Sequence, residues 1–184
     1  LRGNRLGDPH VRPLWVYRPP AYERDASRRF PTIYLIQGLT GQVDMWRNRS
    51  SFRRSVIELV DELFANDATP PCLVAMVDAW TSYGGSQFVD SPGTGKYMTY
   101  LCDDVVAHLD ANYRTKADRN HRALAGKSSG GYGSMVVPMR RPDVFGALAT
   151  HAGDALFDVC YARTFGDTVR ALRDNHGGSF ENFW

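Results

Sequence analysis

The chain has 184 residues, of which 43% are hydrophobic and 23% are charged, and its formal net charge is +2. These values predict one ordinary globular domain, and the scattered basic residues argue against nucleic-acid binding, which needs them clustered on one face. No apolar run approaches the ~20 residues that cross a membrane, and no signal-peptide pattern is present, so we expect neither a membrane span nor secretion.

Predicted strands and helices alternate along the chain. Apolar runs predict strands at residues 14–17, 32–36, 72–77, 122–126 and 146–150, and helical periodicity predicts helices at about 54–66, 98–113 and 129–141. A charged turn at 22–29 and a long glycine-bearing loop at 78–96 lie between them, and helical pieces follow from residue 155. This alternation predicts a three-layer α/β fold with a mostly parallel sheet that helices cover on both faces.

The clearest functional pattern is the pentapeptide Gly126-Lys127-Ser128-Ser129-Gly130, between a predicted strand and a predicted helix. In this context G-x-S-x-G is typical of a nucleophile elbow, where the serine Oγ stands above the carboxyl end of a parallel sheet. Side chains at Gly126 and Gly130 would collide where the strand and the helix nearly touch. Ser128 is therefore the candidate nucleophile, and the alternative is a Gly/Ser-rich loop that only caps the helix.

An acyl-transfer serine needs backbone N–H donors for the oxyanion, one from the residue after it and one from the loop after an earlier strand. Ser129 supplies the first donor, and Leu39, in the loop of residues 37–41, is the candidate for the second. The alternative for that loop is an ordinary strand-to-helix connection. Further residues near strand ends are predicted to line the pocket: Gln37, Trp46 and Trp80.

Four segments carry a family resemblance: residues 3–9 (GNRLGDP), 16–22 (VYRPPAY), 34–41 (YLIQGLTG) and 126–133 (GKSSGGYG). Together, and in this order, they resemble the esterase D type esterases of the α/β-hydrolase superfamily, which include S-formylglutathione hydrolases, feruloyl esterases and mycolyltransferases. The resemblance implies the α/β-hydrolase fold, Ser128 as nucleophile and the Leu39 and Ser129 amides as oxyanion donors. Gln37 and Lys127 stand where family members often have histidine.

The resemblance also implies an acid and a histidine after later strands, so we expect residues 1–184 to be a single, N-terminal fragment of a domain whose C-terminal strands are missing. The start at Leu1 and the abrupt end at Trp184 fit this expectation. Among the histidines present, only His151 follows a strand at the catalytic end of the sheet, with Asp154 shortly after it. Both are predicted as pocket-lining residues, and a catalytic base at His151 with Asp154 as its acid is the less favoured alternative.

No cofactor is implied by the sequence, and no metal. Residues 91–96 (SPGTGK) look like part of a phosphate-binding loop, but Asp90 and Tyr97 stand where a Walker A motif needs Gly and Ser or Thr. The three widely spaced cysteines predict free thiols, with Cys72 and Cys102 buried, and favour a cytoplasmic location.

The predicted function is therefore hydrolysis of a small-molecule carboxylic ester or thioester through an acyl-enzyme on Ser128. Acyl transfer to an acceptor other than water uses the same groups and is the alternative within enzymes. A non-catalytic binding or scaffold domain is the alternative from another class, because a fold alone does not determine a function. A truncated sheet would expose an edge strand, so self-association into a homo-oligomer is also expected.

Overall fold

The computed structural model describes residues 1–66 and 68–183. It divides into two compact units, Leu1–Gly153 and Asp154–Trp184. Strands and helices alternate in the first unit, and the second is helical. Over the described ranges, no helix is long and apolar enough to cross a membrane.

The elements follow an order close to the prediction. The strands are β1 (Leu14–Tyr17), β2 (Thr32–Ile36), β3 (Leu73–Val77), β4 (Asp90–Ser91), β5 (Gly95–Lys96), β6 (Arg122–Lys127) and β7 (Ala147–His151). The helices are α1 (Pro20–Arg24), α2 (Val56–Phe64), α3 (Tyr97–Thr99), α4 (Val106–Asn112), α5 (Ser129–Arg140), α6 (Phe157–Cys160), α7 (Ala162–His176) and α8 (Phe180–Phe183). Short 3₁₀ helices occupy Val43–Arg47 and Arg119–His121, and a π-helical stretch, Tyr100–Val105, joins α3 to α4.

Two predicted loops contain regular structure. The first residues of the predicted turn at 22–29 belong to the short helix α1. Pro20 favours the start of this helix, because its fixed φ angle suits the first helical turn. The long loop at 78–96 ends in a small antiparallel hairpin, in which β4 pairs with β5. Both elements are too short to show a periodic pattern, so the sequence did not reveal them.

Five strands form one sheet in the order β1-β3-β2-β6-β7. All neighbouring strands are parallel except β1, which runs antiparallel to β3. Ile36 is opposite both Val77 and Gly126, and Lys127 is opposite His151, so β2, β3, β6 and β7 end at the same edge of the sheet. The mostly parallel α/β architecture is as predicted, and loops that leave this edge are able to converge on one site.

The main core lies between this sheet and the helical segment from α3 to α4. The apolar stripe of this helical segment faces the sheet, and its members Leu101 and Leu109 have no exposed surface. Cys102 lies in the same stripe, and burial raises the pKa of its thiol to about 12. Cys72 is only partly buried, which corrects the prediction, because it precedes β3 rather than lying within it.

Helix α2 begins with a capping box. The Ser55 side chain accepts a hydrogen bond from the Glu58 amide at 3.3 Å, and the Glu58 carboxylate accepts one from the Ser55 amide at 2.7 Å. The predicted apolar stripe of this helix is only partly buried, since Phe64 is inside and Leu63 is half exposed. Val56 and Ile57 pack against a small cluster formed by Val43, Trp46 and Met76.

The second unit consists of α6, α7 and α8. Helix α7 ends at His176, and the next residue, Gly177, has a left-handed backbone with φ of 60°. The amide of Gly178 donates to the carbonyl of Leu172 at 3.0 Å, and this bond closes the helix end. The hydroxyl of Tyr161, the residue after α6, lies 3.4 Å from an Asp154 carboxylate oxygen at the start of the unit.

Candidate active site

Ser128 occupies the corner between β6 and α5. Its backbone has φ of 57° and ψ of −123°, a conformation that residues other than glycine rarely adopt and that costs about 1–3 kcal/mol. Its amide donates to the His151 carbonyl at 2.9 Å, and its carbonyl accepts the Tyr132 amide at 2.9 Å. The residue thus ends the β6–β7 ladder and begins the first turn of α5, at the position that the sequence predicts for a nucleophile elbow.

The two glycines of the pentapeptide are required by close backbone contacts. A Cβ on Gly126 would stand 2.3 Å from the Gly130 carbonyl oxygen, so no larger residue allows α5 to begin so near β6. A Cβ on Gly130 would stand 2.4 Å from the carbonyl oxygen of Gln37 and 2.5 Å from that of Ile36. The second contact is with the end of β2 rather than with β6, so Gly130 also brings the loop after β2 close to Ser128.

Helix α5 is also held against β7. The Thr150 hydroxyl donates to the Gly131 carbonyl at 2.9 Å, and the buried Ser134 hydroxyl lies 2.8 Å from the same carbonyl and 3.0 Å from that of Ala149. These contacts involve backbone atoms of both elements, so the start of α5 has little freedom to move relative to the sheet. These contacts hold the first turn of α5, which follows Ser128, against β7.

The loop of residues 37–41 contacts the Ser128 side chain. A Cβ on Gly38 would stand 3.0 Å from the Ser128 Cβ and 3.6 Å from its Oγ, so the backbone of Gly38 lies directly beside the serine. Leu39 is the next residue, and Ser129, which is buried, is the first residue of α5. Amides in the first turn of a helix have no acceptor within that helix. The two predicted oxyanion donors are therefore in segments that meet at Ser128, and their role stays a prediction.

Gln37 has a structural position that the sequence did not predict. Its side chain is 3% exposed. With its amide oriented to satisfy both ends, it donates to the Val77 carbonyl at 2.6 Å and accepts from the Ala79 amide at 2.9 Å. Gln37 therefore ties the end of β2 to the end of β3, which corrects its assignment as a pocket-lining residue.

A groove of about 360 Å³ runs along the ends of β2, β6 and β7. Its lining residues are Leu35, Trp46, Ala125, Gly126, Lys127, Ala149, Thr150 and His151. Thr150 bonds to α5, and side chains alternate along a strand, so Ala149 and His151 point to the opposite face of the sheet. Trp46 and His151 therefore line a groove that opens on the face opposite α5, beside Lys127, and their predicted role in a substrate pocket stays a prediction.

Trp80 lines a separate cavity, of about 260 Å³, together with Pro13, Gln42, Val43, Asp44 and Asp78. Trp46 and Trp80, both predicted to line the substrate pocket, thus lie in different cavities, and their role toward a substrate stays a prediction. Next to this cavity, Arg12 and Asp78 form an ion pair at 3.0 Å in which both side chains are at least nine-tenths buried. Burial raises the pKa of the Asp78 carboxyl, and the Arg12 guanidinium partly offsets that effect.

Arg12 also binds two other groups at this end of the sheet. It donates to the Trp80 carbonyl at 2.8 Å and to the Tyr97 hydroxyl at 2.8 Å. Sequence reasoning missed Arg12, although Gly7-Asp8-Pro9, just before it, belongs to the segments that carry the family resemblance.

His151, Asp154 and a further histidine, His121, lie in different surroundings. His151 is exposed at the end of β7, and Asp154 belongs to the helical C-terminal unit. His121 lies at the other end of β6, where its Nδ1 is 2.7 Å from an Asp118 carboxylate oxygen and holds the pKa of that carboxyl below its usual value. Among residues 1–66 and 68–183, no cluster of His, Cys, Asp or Glu could hold a metal ion.

Comparison with known proteins identifies the family. The profile of the Esterase family, described as "Putative esterase", matches residues 9–165, which include the strands of the sheet, the corner at Ser128 and the loop of residues 37–41. The chain belongs to this family. The match covers more than half of the chain, so membership does not depend on the pentapeptide alone.

Relatives of this Esterase family chain include named esterases. An endo-1,4-beta-xylanase/feruloyl esterase from Xylanibacter ruminicola is 29% identical over 139 residues, which cover 71% of this chain and 18% of that protein. Esterase Rv1288 from Mycobacterium tuberculosis is 29% identical over 144 residues, which cover 76% of this chain and 28% of that protein. The chain thus spans less than a third of the length of these relatives.

Solved structures show the same fold. A ferulic acid esterase has a TM-score of 0.66 and 26% identity, over 76% of this chain and 53% of that one. A fluorophosphonate-binding serine hydrolase from Staphylococcus aureus has a TM-score of 0.61 and 18% identity, over 84% of this chain and 54% of that one. This chain has the α/β-hydrolase fold and spans about half of each of these structures.

Proposed function

We propose that the protein hydrolyses a small-molecule carboxylic ester or thioester with Ser128 as the nucleophile. The observation that carries the proposal is the strained backbone of Ser128 at the β6–α5 corner, with the backbone of Gly38 against its side chain. Strain of this kind persists only where the surrounding structure imposes it, and it is common at active sites. Membership of the Esterase family supports the same reaction class.

In the proposed reaction the Ser128 Oγ attacks the carbonyl carbon of the substrate while a base takes the hydroxyl proton. The carbonyl oxygen becomes an oxyanion between the amides of Leu39 and Ser129, and one such donor contributes about 3–4 kcal/mol to the transition state. The leaving alcohol or thiol takes the proton from the base, and an acyl-enzyme remains. Water then attacks the acyl carbon by the same route and releases the acid.

We propose that the base and the acid of the relay follow residue 184 in the complete protein. The order of the triad in this fold is serine, acid and then histidine, and the acid and histidine follow late strands. This chain covers only about half of the length of the solved relatives, which supports a position of the acid and the histidine outside residues 1–184. His151 with Asp154 is the alternative relay, and it predicts that the 184-residue chain turns over esters by itself.

Labelling with a fluorophosphonate probe tests the nucleophile. We expect one covalent adduct on the full protein, which mass spectrometry places on Ser128 and which the S128A variant lacks. The matched control is S129A, since it removes the neighbouring hydroxyl and keeps the amide that the proposal uses. An adduct that persists in S128A, or that is lost in S129A alone, contradicts the assignment.

The names of the relatives suggest the first substrates to test. Several relatives are named for feruloyl or ferulic acid esters, so an aryl hydroxycinnamate ester is the first substrate to test, beside a short-chain aryl ester and an acyl thioester. Product analysis with an added alcohol distinguishes hydrolysis from acyl transfer, since transfer yields a new ester. The cytoplasmic location that the cysteines favour stays a prediction.

A further inference from the structure

The loop that carries Leu39 is attached to a turn in the segment that follows β3. The Thr40 amide donates to the Gly84 carbonyl at 2.8 Å, and Thr40 itself has φ of 61°. Gly84 has φ of 100°, and a Cβ on it would stand 3.0 Å from the Leu39 Cδ1. The backbone and the side chain of this loop thus both rest on the turn at residues 81–85, which we call the support turn.

The support turn is closed by its own hydrogen bonds. The Gly84 amide donates to the Thr81 carbonyl at 2.8 Å, and the Thr81 hydroxyl donates to the Gly85 carbonyl at 3.2 Å. Thr81 has no exposed surface. A displacement of this turn would therefore move Thr40 and, with it, the adjoining amide of Leu39.

The N-terminal segment, which precedes β1, is hydrogen-bonded to the support turn. Both carboxylate oxygens of Asp8 accept the Ser82 amide, at 3.1 and 3.3 Å, and Asp8 is only 9% exposed. Asn4 holds Asp8 in turn, because its side chain accepts the Asp8 amide at 3.1 Å and donates to the Asp8 carbonyl at 2.8 Å. A buried carboxylate accepting a backbone amide forms a charge-assisted hydrogen bond, which is stronger than a neutral one.

We propose that Asp8 is a positioning residue, whose carboxylate holds the support turn so that Thr40 and the Leu39 amide stay in the oxyanion site beside Ser128. This inference rests on the proposed function, since it assigns a purpose to the Leu39 amide. Asp8 does not touch the substrate; it acts through Ser82, Gly84 and Thr40. Displacement by about 1 Å of a group that aligns the reaction can cost up to about 100-fold in rate.

The test compares D8A with D8N in the full protein. D8A removes the acceptor of the Ser82 amide, and we expect kcat to fall by about 10- to 100-fold while KM changes less than about threefold, because the loss concerns the transition state. D8N keeps one oxygen acceptor in the same place and should recover most of the kcat. In D8A, hydrogen exchange at the Thr40 amide should become faster.

The matched control is S55A, which removes the α2 cap and costs about 1 kcal/mol of stability without touching the support turn. S55A should leave kcat and Thr40 exchange unchanged. If D8A lowers kcat no more than S55A, or changes KM alone, the positioning role is wrong. If D8A folds poorly, T81V carries the test, since it removes the bond to Gly85 from within the turn.

Failure of this inference can be told apart from failure of the proposed function. A Ser128 that is labelled by the probe, together with a D8A variant of normal kcat, contradicts only the role of Asp8. An S128A variant that keeps full turnover contradicts the proposed function, whatever hydrogen exchange at Thr40 reports.

Discussion

The backbone of Ser128 leads to a stability prediction that needs no substrate. Replacing Ser128 by Gly or by Ala removes the hydroxyl in both cases, so the contacts of Oγ drop out of the comparison between the two variants. Ala keeps the Cβ that makes φ of 57° with ψ of −123° unfavourable, and Gly does not. We therefore expect S128G to be more stable than S128A, which is the reverse of the order at ordinary positions.

The expected difference follows from two opposing contributions. Relief of the strained conformation stabilises S128G by about 1–3 kcal/mol. The greater conformational entropy of Gly in the unfolded chain destabilises it by about 0.5–1 kcal/mol. The net gain lies between about 0 and 2.5 kcal/mol, with a midpoint of about 1 kcal/mol, which for a protein of this size corresponds to a rise in Tm of a few degrees.

Urea unfolding of the two variants, with Tm as a second readout, checks this prediction. The control is A107G, at an exposed position in α4, where Gly should cost about 1 kcal/mol. The strained elbow would be refuted if S128G were less stable than S128A and if this difference were as large as the loss that A107G causes relative to the wild type. That result would also remove the observation on which the proposed nucleophile depends.

Three further predictions concern the site and its surroundings. G38A should lower kcat at least about tenfold, because its Cβ would stand 3.0 Å from that of Ser128; ester hydrolysis measures this, and unchanged kcat would contradict the close contact. R12M should lower the free energy of unfolding by about 3–5 kcal/mol at pH 7, because it leaves the buried charge of Asp78 without its ion-pair partner. Burial raises the pKa of the Asp78 carboxyl in the folded protein above its value in the unfolded chain. Between these two pKa values, ionisation of Asp78 lowers the free energy of unfolding as pH rises. Removing Arg12 raises the folded pKa further and so widens the pH range over which this loss occurs. The R12M loss should therefore shrink in urea unfolding at pH 5, and an equal loss at both pH values would contradict this. On the proposal that the base and the acid follow residue 184, a longer chain that carries them should hydrolyse an aryl ester at least about 10³-fold faster than the 184-residue chain, and equal turnover that H151A abolishes would assign the base to His151 instead.

The local geometry of the candidate site could be predicted because it depends on neighbours in the chain. A strand that turns directly into a helix leaves no room for side chains at Gly126 and Gly130, and the residue between them must adopt an unusual backbone. The sequence displays this requirement as a spacing, so Ser128 could be located before the fold was known. The parallel strands were equally visible as continuous apolar runs, although only β3 is buried at every position, whereas β7 is exposed along its length.

The polar contacts around the site were decided only by the tertiary structure. Gln37 reads as a pocket residue until β3 is known to lie beside β2, where its amide binds the backbone of Val77 and Ala79. Asp8 and Ser82 are 74 positions apart and meet because β1 runs antiparallel to β3 and brings the N-terminal segment to the catalytic edge. Apolar periodicity encodes which face of an element is buried, whereas the partner of a single buried polar group depends on strand order and register, which no local pattern records.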